Sequence, residues 1–512
     1  MQQTDILKRE NVSLWLKDGL SSQIPVLKED LSCDVCVVGA GITGITTACR
    51  LHEEGLSVVL LDKQEPVHLA SGNTTAKFTF QHDLIYHDII KERGKESAKF
   101  YHQAQSAGMA YVRTLIEQHG IACDFAETAA MVYAETDERM RDLWDEESAY
   151  KQLGIPHALI NEVPLGIKGI GALKVDGQFA LHPVKYLDFL LSFLIKEGVP
   201  VFQHTKAKGV EEEGGQIKLK TEDGHLITCR HLVEATAYPF FGGDGMYFTR
   251  LEGSRSYLTA FPLAEKLNDK IMMISEAQEP FSIRFSDTDG VFYLLVGGQG
   301  HKMGQAESER EDYLRLIEFA RTNFNAGEAA FRWSAQDYRT LDGVPYIGRV
   351  TSKRKNIYVA TGFNKWGMSN GSFAALLLTD LIMGTQSRFE ALFEPSRGEV
   401  KSNLGTFFKA NLNVAKEFVK GKVMPEELSV DQLKPDEGGI VKLNGKRVAA
   451  YRDETGKLHL SDSTCTHMGC ELVYNDAERT FDCPCHASRF TYDGKVIEGP
   501  AMSDLKKVDT EQ

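Results

Sequence analysis

"CDVCVVGAGITGITTACRLHEEGLSVVLLDK", Cys33 to Lys63, decides the fold of most of this 512-residue chain. Its opening residues are predominantly apolar through Val38, as a strand buried on both faces requires. A glycine-rich turn comes next, then a helical stretch, then a second apolar run ending in Asp62. Gly39, Gly41 and Gly44 give G-x-G-x-x-G between a strand and a helix, the one context in which that spacing is informative. Gly39 allows the sharp turn, Gly41 lets the backbone approach a pyrophosphate, and Gly44 lets the helix pack on the strand. The free N–H groups at the helix start then face the phosphates, and Asp62 is placed to accept from ribose hydroxyls. Cys33 and Cys36 form a C-x-x-C in the same strand, where they read as inert core thiols rather than a redox pair.

The chain beyond Lys63 favours FAD over NAD, because it does not complete a regular doubly wound sheet. Instead "VPVFQHTKAKGVEEEGGQIKLKTEDGHLITCRHLVEATA", Val199 to Ala237, reads as a strand, a meander turning at Gly214–Gly215 and Gly224, and another strand. Much later "NIYVATGFNKWGMSNGSFAALLLTDLI", Asn356 to Ile382, gives a strand, a glycine-rich loop and an apolar helix. This order resembles the FAD-dependent D-amino acid oxidase, glycine oxidase and sarcosine oxidase superfamily, over roughly Cys33 to Gly384. The stretch "WSAQDYRTLDGVPYIGR" adds a D-G-x-P-x-I-G match at Asp342, Gly343, Pro345, Ile347 and Gly348.

The resemblance implies that Gly362, Trp366, Gly367 and Met368 lie beside the isoalloxazine end of FAD, with Thr75 and Lys77 of "HLASGNTTAKFTFQHD" as further flavin contacts. His68 and His82 stand where a covalent flavin link would be sought, but neither lies in an attachment motif, so FAD is expected to bind non-covalently. Candidate substrate contacts are Arg255 and Tyr257 in "RLEGSRSYLTAF" and Arg284 in "PFSIRF", because an arginine pairs bidentately with a carboxylate; the bland reading is ordinary strand residues.

"CTHMGC" and "CPCHASRF", from Cys465 and Cys483, hold four of the nine cysteines and two histidines. Each loop supplies one C-x-H or C-x-x-H half-site, Cys465 with His467 and Cys483 with His486. Zinc takes Cys2His2 sets too, but one Cys and one His from each loop suits a cluster with two thiolates on one iron and two imidazoles on the other. The stretch resembles a Rieske 2Fe-2S domain. That resemblance implies a disulfide between Cys470 and Cys485, against two free buried thiols as the alternative. It also implies a hydroxyl donor to a cluster sulfur at Ser488, while Phe490 stands where high-potential relatives carry a tyrosine. One donor fewer lowers the expected potential.

Composition is ordinary for a globular protein, and a net charge of −14 argues against nucleic acid as a partner. No apolar run approaches the ~20 residues of a membrane span, and the N-terminus has no apolar leader, so the expected compartment is the cytoplasm. The expected fold class is α/β. A discontinuous, doubly wound, glutathione-reductase-like FAD-binding domain (30–80, 180–250, 340–385) is interrupted by an antiparallel-sheet substrate domain (81–179, 251–339). A helical linker (386–430) leads to an all-β Rieske domain (431–512). In the linker, Leu404 to Lys422 places Phe407, Phe408, Leu412, Ala415, Phe418 and Val419 on one helical face, expected to dock on the protein body rather than on a membrane.

The expected function is FAD-dependent dehydrogenation of an amine or amino acid, electrons leaving through the cluster to a one-electron acceptor protein or quinone. The alternatives are a non-catalytic redox sensor or electron carrier, and an oxygenase fed with electrons at the cluster.

Overall fold

The computed structural model describes residues 11–241, 245–267, 271–397, 411–418 and 428–509. The strand Leu31–Val38 lies inside an eight-stranded sheet, parallel to Val58–Leu61 on one side and to Leu226–Glu234 on the other. Val201–Phe202 extends one edge, and Arg354–Thr361 with Tyr346–Thr351 the other. Val35, Val37, Val58 and Leu60 meet Ile45 and Ala48 of the helix Ile42–Glu53, Leu187 of Pro183–Lys196 and Leu378 of Gly367–Ile382. The alternate residues Cys36, Val38, Val59 and Leu61 meet Ile217, Leu219 and Tyr247 instead. Both faces are therefore covered, one by helices and the other by the meander, which is why the first strand is apolar throughout its second half. Cys33 and Cys36 are free thiols here, and burial holds the Cys36 thiol well above its ordinary pKa.

The second sheet has nine strands, running Phe331–Thr340, Leu251–Pro262, Val291–Lys302, Phe281–Thr288, Met272–Glu276, Ala126–Ala134, Gly171–Ala180 and Lys77–Phe78, with Ala158–Ile160 on Gly171–Ala180. Lys77–Phe78, inside the sequence segment 30–80, thus belongs to this sheet's edge. Side chains alternate across most of it. Leu258, Ala260, Met272, Leu295, Ala130 and Val132 face the core shared with the first sheet's helices. Tyr257, Phe261, Met273, Ile283 and Leu294 face Tyr313, Leu316 and Ile317 of the helix Glu309–Phe324.

Two four-stranded antiparallel-rich sheets form the last unit: Leu428–Ser429, Glu437–Leu443, Lys446–Arg452 and Leu458–Asp462, then Val473–Asn475, Thr480–Asp482, Arg489–Thr491 and Val496–Glu498. Of the proposed linker helix, residues 411–418 are helical; Leu404, Phe407, Phe408, Val419 and Lys422 lie outside the described residues. Within the described turn Leu412 is 67% exposed, and Val414 and Phe418 pack on the core that holds Cys465 and Cys483. Of the expected face, Phe418 docks on the protein body and Leu412 does not.

Candidate cofactor sites

The turn after Leu31–Val38 is shaped for a dinucleotide. Gly39 has φ +103°, and a Cβ there would collide with the Ala235 carbonyl; one on Gly44 would collide with the Gly39 carbonyl. Gly41 starts the helix Ile42–Glu53 in extended conformation with no side-chain cap, and Trp366 starts Gly367–Ile382 equally uncapped. The two helix starts lie against each other, since a Cβ on Gly371 would sit 2.7 Å from Thr43 Oγ1. Ile42 N donates to Ser71 Oγ at 2.9 Å, and the helix starts present positive dipole ends, which fit the anionic pyrophosphate and the electron-rich edge of FAD. Asp62 accepts from Ala40 N at 2.8 Å and from Gln64 N at 2.9 Å; the carboxylate is fixed in orientation and keeps lone pairs for a ribose.

The segment after the second strand is held by Arg284, whose guanidinium donates to the carbonyls of Thr75, Ala76 (3.2 Å) and Leu181 (2.8 Å) and lies 5.0 Å over the Trp15 ring. Trp15 Nε1 donates to Thr74 O at 2.7 Å. Arg284 thus holds the backbone at Thr75, Ala76 and Leu181 through its two terminal nitrogens, while its Nε has no partner among the described residues. Lys77 donates to Met273 O at 2.9 Å and Ser282 Oγ at 2.7 Å, and burial, then Arg284, lowers its pKa to about 7.

The other two substrate candidates share the sheet face turned toward the last unit and away from the flavin-side loops. Arg255 and Tyr257 share the sheet face opposite Leu258. Tyr257 Oη meets His301 Nε2 at 2.9 Å and packs edge-on against Tyr313. Arg255, 2% exposed, pairs with Glu478 at 2.6 Å. The period of two decides this: reading both residues as substrate contacts chose the wrong face.

The loop Gly362–Met368 bends through positive φ at Gly362, Asn364 and Lys365. Asn364 N donates to Tyr338 O at 2.9 Å and Lys365 N to Asp337 Oδ2 at 2.6 Å. Trp366 stacks on His82 with centroids 4.8 Å apart. His82 contacts Tyr101 Oη, Thr79 O and Ser369 Oγ at 2.7–2.8 Å, and burial lowers its pKa to about 3. Both ring nitrogens are engaged in hydrogen bonds, and His68 is exposed. Next to this loop Asp83 and Lys365 are exposed, and the protein around them raises the pKa of Asp83 and lowers that of Lys365. Glu276, raised to about 7 by burial and then Asp83, is hydrogen-bonded to Asp83 and ion-paired with Arg139 at 3.2 Å. Asp83, Glu276 and Lys365 carry no sequence motif and went unrecognised.

In the last unit the structure brings Cys465, His467, Cys483 and His486 together. Cys465 N to Cys470 O and Cys483 N to Ser488 O, both 2.8 Å, close the two loops, and Gly469 and Ala487 turn them through positive φ. The Cys465 and Cys483 thiols contact each other, and the His467 and His486 rings lie 5.1 Å apart. His467 Nδ1 is buried with no hydrogen-bond partner. Two thiols, two imidazoles and an orphaned ring nitrogen fit the iron–sulfur cluster. Cys470 and Cys485 form a disulfide joining the loops. Ser488 Oγ reaches Cys465 and accepts from Ala501 N at 3.0 Å, and Phe490 is fully buried.

The two folds share a boundary. Phe248 lies edge-on to both His467 and His486. A Cβ added to Gly304 would sit 3.2–3.3 Å from Pro484, so glycine permits the cluster loop to approach. Glu478, at the tip of the hairpin Val473–Asp482, receives Arg255, Arg489 and the Ser334 hydroxyl. Burial alone would raise its pKa, but Arg255 and Arg489 hold it down to about 2.

Known proteins match in two parts. The FAD dependent oxidoreductase family matches residues 34–381, and the Rieske [2Fe-2S] domain matches residues 425–509. The chain is 36% identical over 495 residues to the putative Rieske 2Fe-2S iron-sulfur protein YhfW of Bacillus subtilis, covering 97% of each. It is 23% identical to the gamma-glutamylputrescine oxidoreductase of Escherichia coli, over 71% of this chain and 87% of that one. The fold overlays the crystal structure of glycine oxidase from Geobacillus kaustophilus with a TM-score of 0.62 at 18% identity, over 72% of this chain and all of the other. The chain belongs to the FAD dependent oxidoreductase family and carries, after that fold, a Rieske domain that holds a 2Fe-2S cluster.

Proposed function

We propose that this oxidoreductase dehydrogenates an amine or amino acid and delivers the electrons singly, by way of the cluster, to an external acceptor protein or quinone. One observation carries the reading. The strand Phe331–Thr340 holds the loop Gly362–Met368 through Asp337 and the Tyr338 carbonyl, and its neighbouring side chains hold the cluster loop. An oxidase that passed both electrons to oxygen would have no use for a cluster so placed.

FAD supplies the two-electron acceptor and the cluster a one-electron relay. The chain supplies position and proton handling. Thr75, fixed by Arg284, and Gly362, Trp366, Gly367 and Met368 line the flavin; Gly39, Gly41, Gly44 and Asp62 hold its dinucleotide end; Cys465, His467, Cys483 and His486 ligate the irons. A substrate bound beside Lys365 would meet Glu276, whose pKa of about 7 lets a carboxylate oxygen take the ammonium proton and leave a neutral amine. The cytoplasm is the compartment of this reading, supported by the free thiols of Cys33, Cys36, Cys49, Cys123 and Cys229. No described helix is long and apolar enough to cross a membrane.

Anaerobic titration with a panel of amines and amino acids tests this. The expected result is flavin bleaching and then the EPR signal of the reduced cluster. Bleaching without that signal takes the cluster off the path, and a flavin that no compound bleaches leaves the carrier or sensor reading.

A further inference from the structure

The strand Phe331–Thr340 is two-faced in an unusual way. Arg332 donates to Ala477 O at 3.2 Å, Ser334 to Glu478, Gln336 Nε2 to Ala487 O at 2.8 Å, and Tyr338 Oη to Gly499 O at 2.8 Å. All four acceptors belong to the Rieske domain. The odd-numbered residues turn the other way: Trp333 Nε1 donates to Asn73 O at 3.0 Å, and Asp337 accepts from Lys365 N at 2.6 Å. One strand thus grips the cluster domain with one face and the two flavin-side loops with the other.

Within that grip two residues form a closed link. Gln336 Nε2 also donates to Tyr338 Oη at 2.8 Å, so Ala487, Gln336, Tyr338 and Gly499 are joined, and the Tyr338 carbonyl continues to Asn364 N. Ala487 is bonded directly to His486. Gln336 is 4% exposed and its Oε1 is buried without a partner, a penalty that an apolar side chain at that position would not carry. Its amide nitrogen serves both the Ala487 carbonyl and the Tyr338 hydroxyl, so the side chain ties the cluster loop to this strand.

We propose that Gln336 and Tyr338 are positioning residues that fix the cluster loop Cys483–Ser488 against the flavin loop Gly362–Met368, and so set the rate at which electrons cross between them. The inference rests on the flavin-to-cluster reading of the function. Each crossing takes one electron from reduced flavin to the oxidised cluster, and the second crosses once the first has gone to the external acceptor.

The test uses the full chain with both cofactors, in the variants Gln336→Leu, Tyr338→Phe, Ser334→Ala and Cys483→Ser. Flavin is reduced by a flash under anaerobic conditions, and cluster bleaching is timed. Hydrogen exchange of the peptide spanning residues 483–488 is read in parallel. In Gln336→Leu and Tyr338→Phe the transfer slows on the order of ten-fold, as a small misplacement of reacting partners does, and amide protection at 483–488 falls. Combining the two changes slows it little further, because they cut one link. Ser334→Ala removes a bond at the same boundary away from the cluster loop, so it lowers the unfolding temperature and leaves the rate alone. Unchanged rate and protection in both link variants overturns the proposal, as does an equal slowing in Ser334→Ala, which would mean general loosening. Cys483→Ser separates this from the parent reading. If it leaves reoxidation of flavin by a one-electron acceptor at full speed, the route through the cluster is wrong and this proposal falls with it. If it abolishes that reoxidation while the link variants keep the wild-type rate, the proposal alone fails.

Discussion

The cluster loops take their four candidate ligands from one short passage, Cys465 to His486, whereas the candidate FAD contacts, Gly39, Asp62, Thr75 and Gly362–Met368, come from across the chain. The reason is chemical. An iron demands particular donor atoms at bonding distance, and two tight loops closed by 2.8 Å backbone bonds deliver them. FAD is long and is held largely by backbone N–H groups and helix ends, so its site specifies little beyond glycine where the backbone must come close. A site built from side-chain donors is local in sequence, and one built from backbone is dispersed. The two also differ in how they fail: the first loses function with any ligand, the second only where a side chain is forced into the cradle.

The largest expected effect comes from that difference. Cys483→Ser removes a ligand and abolishes the Rieske-type EPR signal, with FAD still bound. Gly41→Val puts a branched side chain where the pyrophosphate lies, so FAD is lost and the EPR signal of the chemically reduced protein remains. Absorbance and EPR of the two purified variants decide it. If either change removed both cofactors, the sites would be interdependent and the contrast between them false.

Next in size is the boundary where the two regions meet. Arg255 and Glu478 are each 2% exposed in side-chain surface, and removing one partner strands a buried charge. Glu478→Ala should lower stability by about 3–5 kcal/mol, read by denaturant unfolding, whereas replacing Arg255 and Glu478 together by leucines should lower it by much less. The same pair predicts a pH response. The folded pKa of Glu478 is depressed from its ordinary 4.5 to about 2, so its contribution is complete above 4.5 and is lost as pH falls through that window. Proteolysis between the two folds should become easier over the same range, and an unchanged cleavage rate there would mean that the pair does not hold them together.

Legibility in the sequence split along the same divide. The strand–turn–helix at Cys33–Lys63 and the two cluster loops were readable because each embodies a fixed spacing: a glycine pattern in its proper context, and paired C-x-H and C-x-x-H donors. Arg255, Tyr257 and Arg284 were not, because a candidate chosen for its chemistry says nothing about which face of a strand it occupies. A Cα alternation of two sends Arg255 to Glu478, and burial turns Arg284 onto three carbonyls. Asp83, Glu276 and Lys365 come from a turn, a strand end and a loop and meet only in the folded chain. The stretch Arg332–Tyr338 did hold a signal. Its alternating arginine, serine, glutamine and tyrosine are too polar for a buried sheet face unless another domain satisfies them.

The smallest effect tests whether the cluster feels its own side chains as the flavin feels backbone. Ser488 Oγ reaches Cys465, so it can donate to a sulfur whose negative charge grows on reduction. Removing that donor in Ser488→Ala destabilises the reduced state more than the oxidised one and lowers the midpoint potential. A shift on the order of 60 mV corresponds to about 1.4 kcal/mol for one electron. Phe490 is fully buried in the same core and offers no hydroxyl, so Phe490→Tyr should raise the potential by a similar or smaller step, the added oxygen having to find room beside Cys465 and Cys483. The pair separates two explanations that one variant alone would confuse. If Ser488→Ala lowered the potential merely by loosening the loop, a tyrosine at 490 would loosen it too and lower the potential again. Opposite signs in a redox titration identify hydrogen bonding as the cause, and equal signs identify packing.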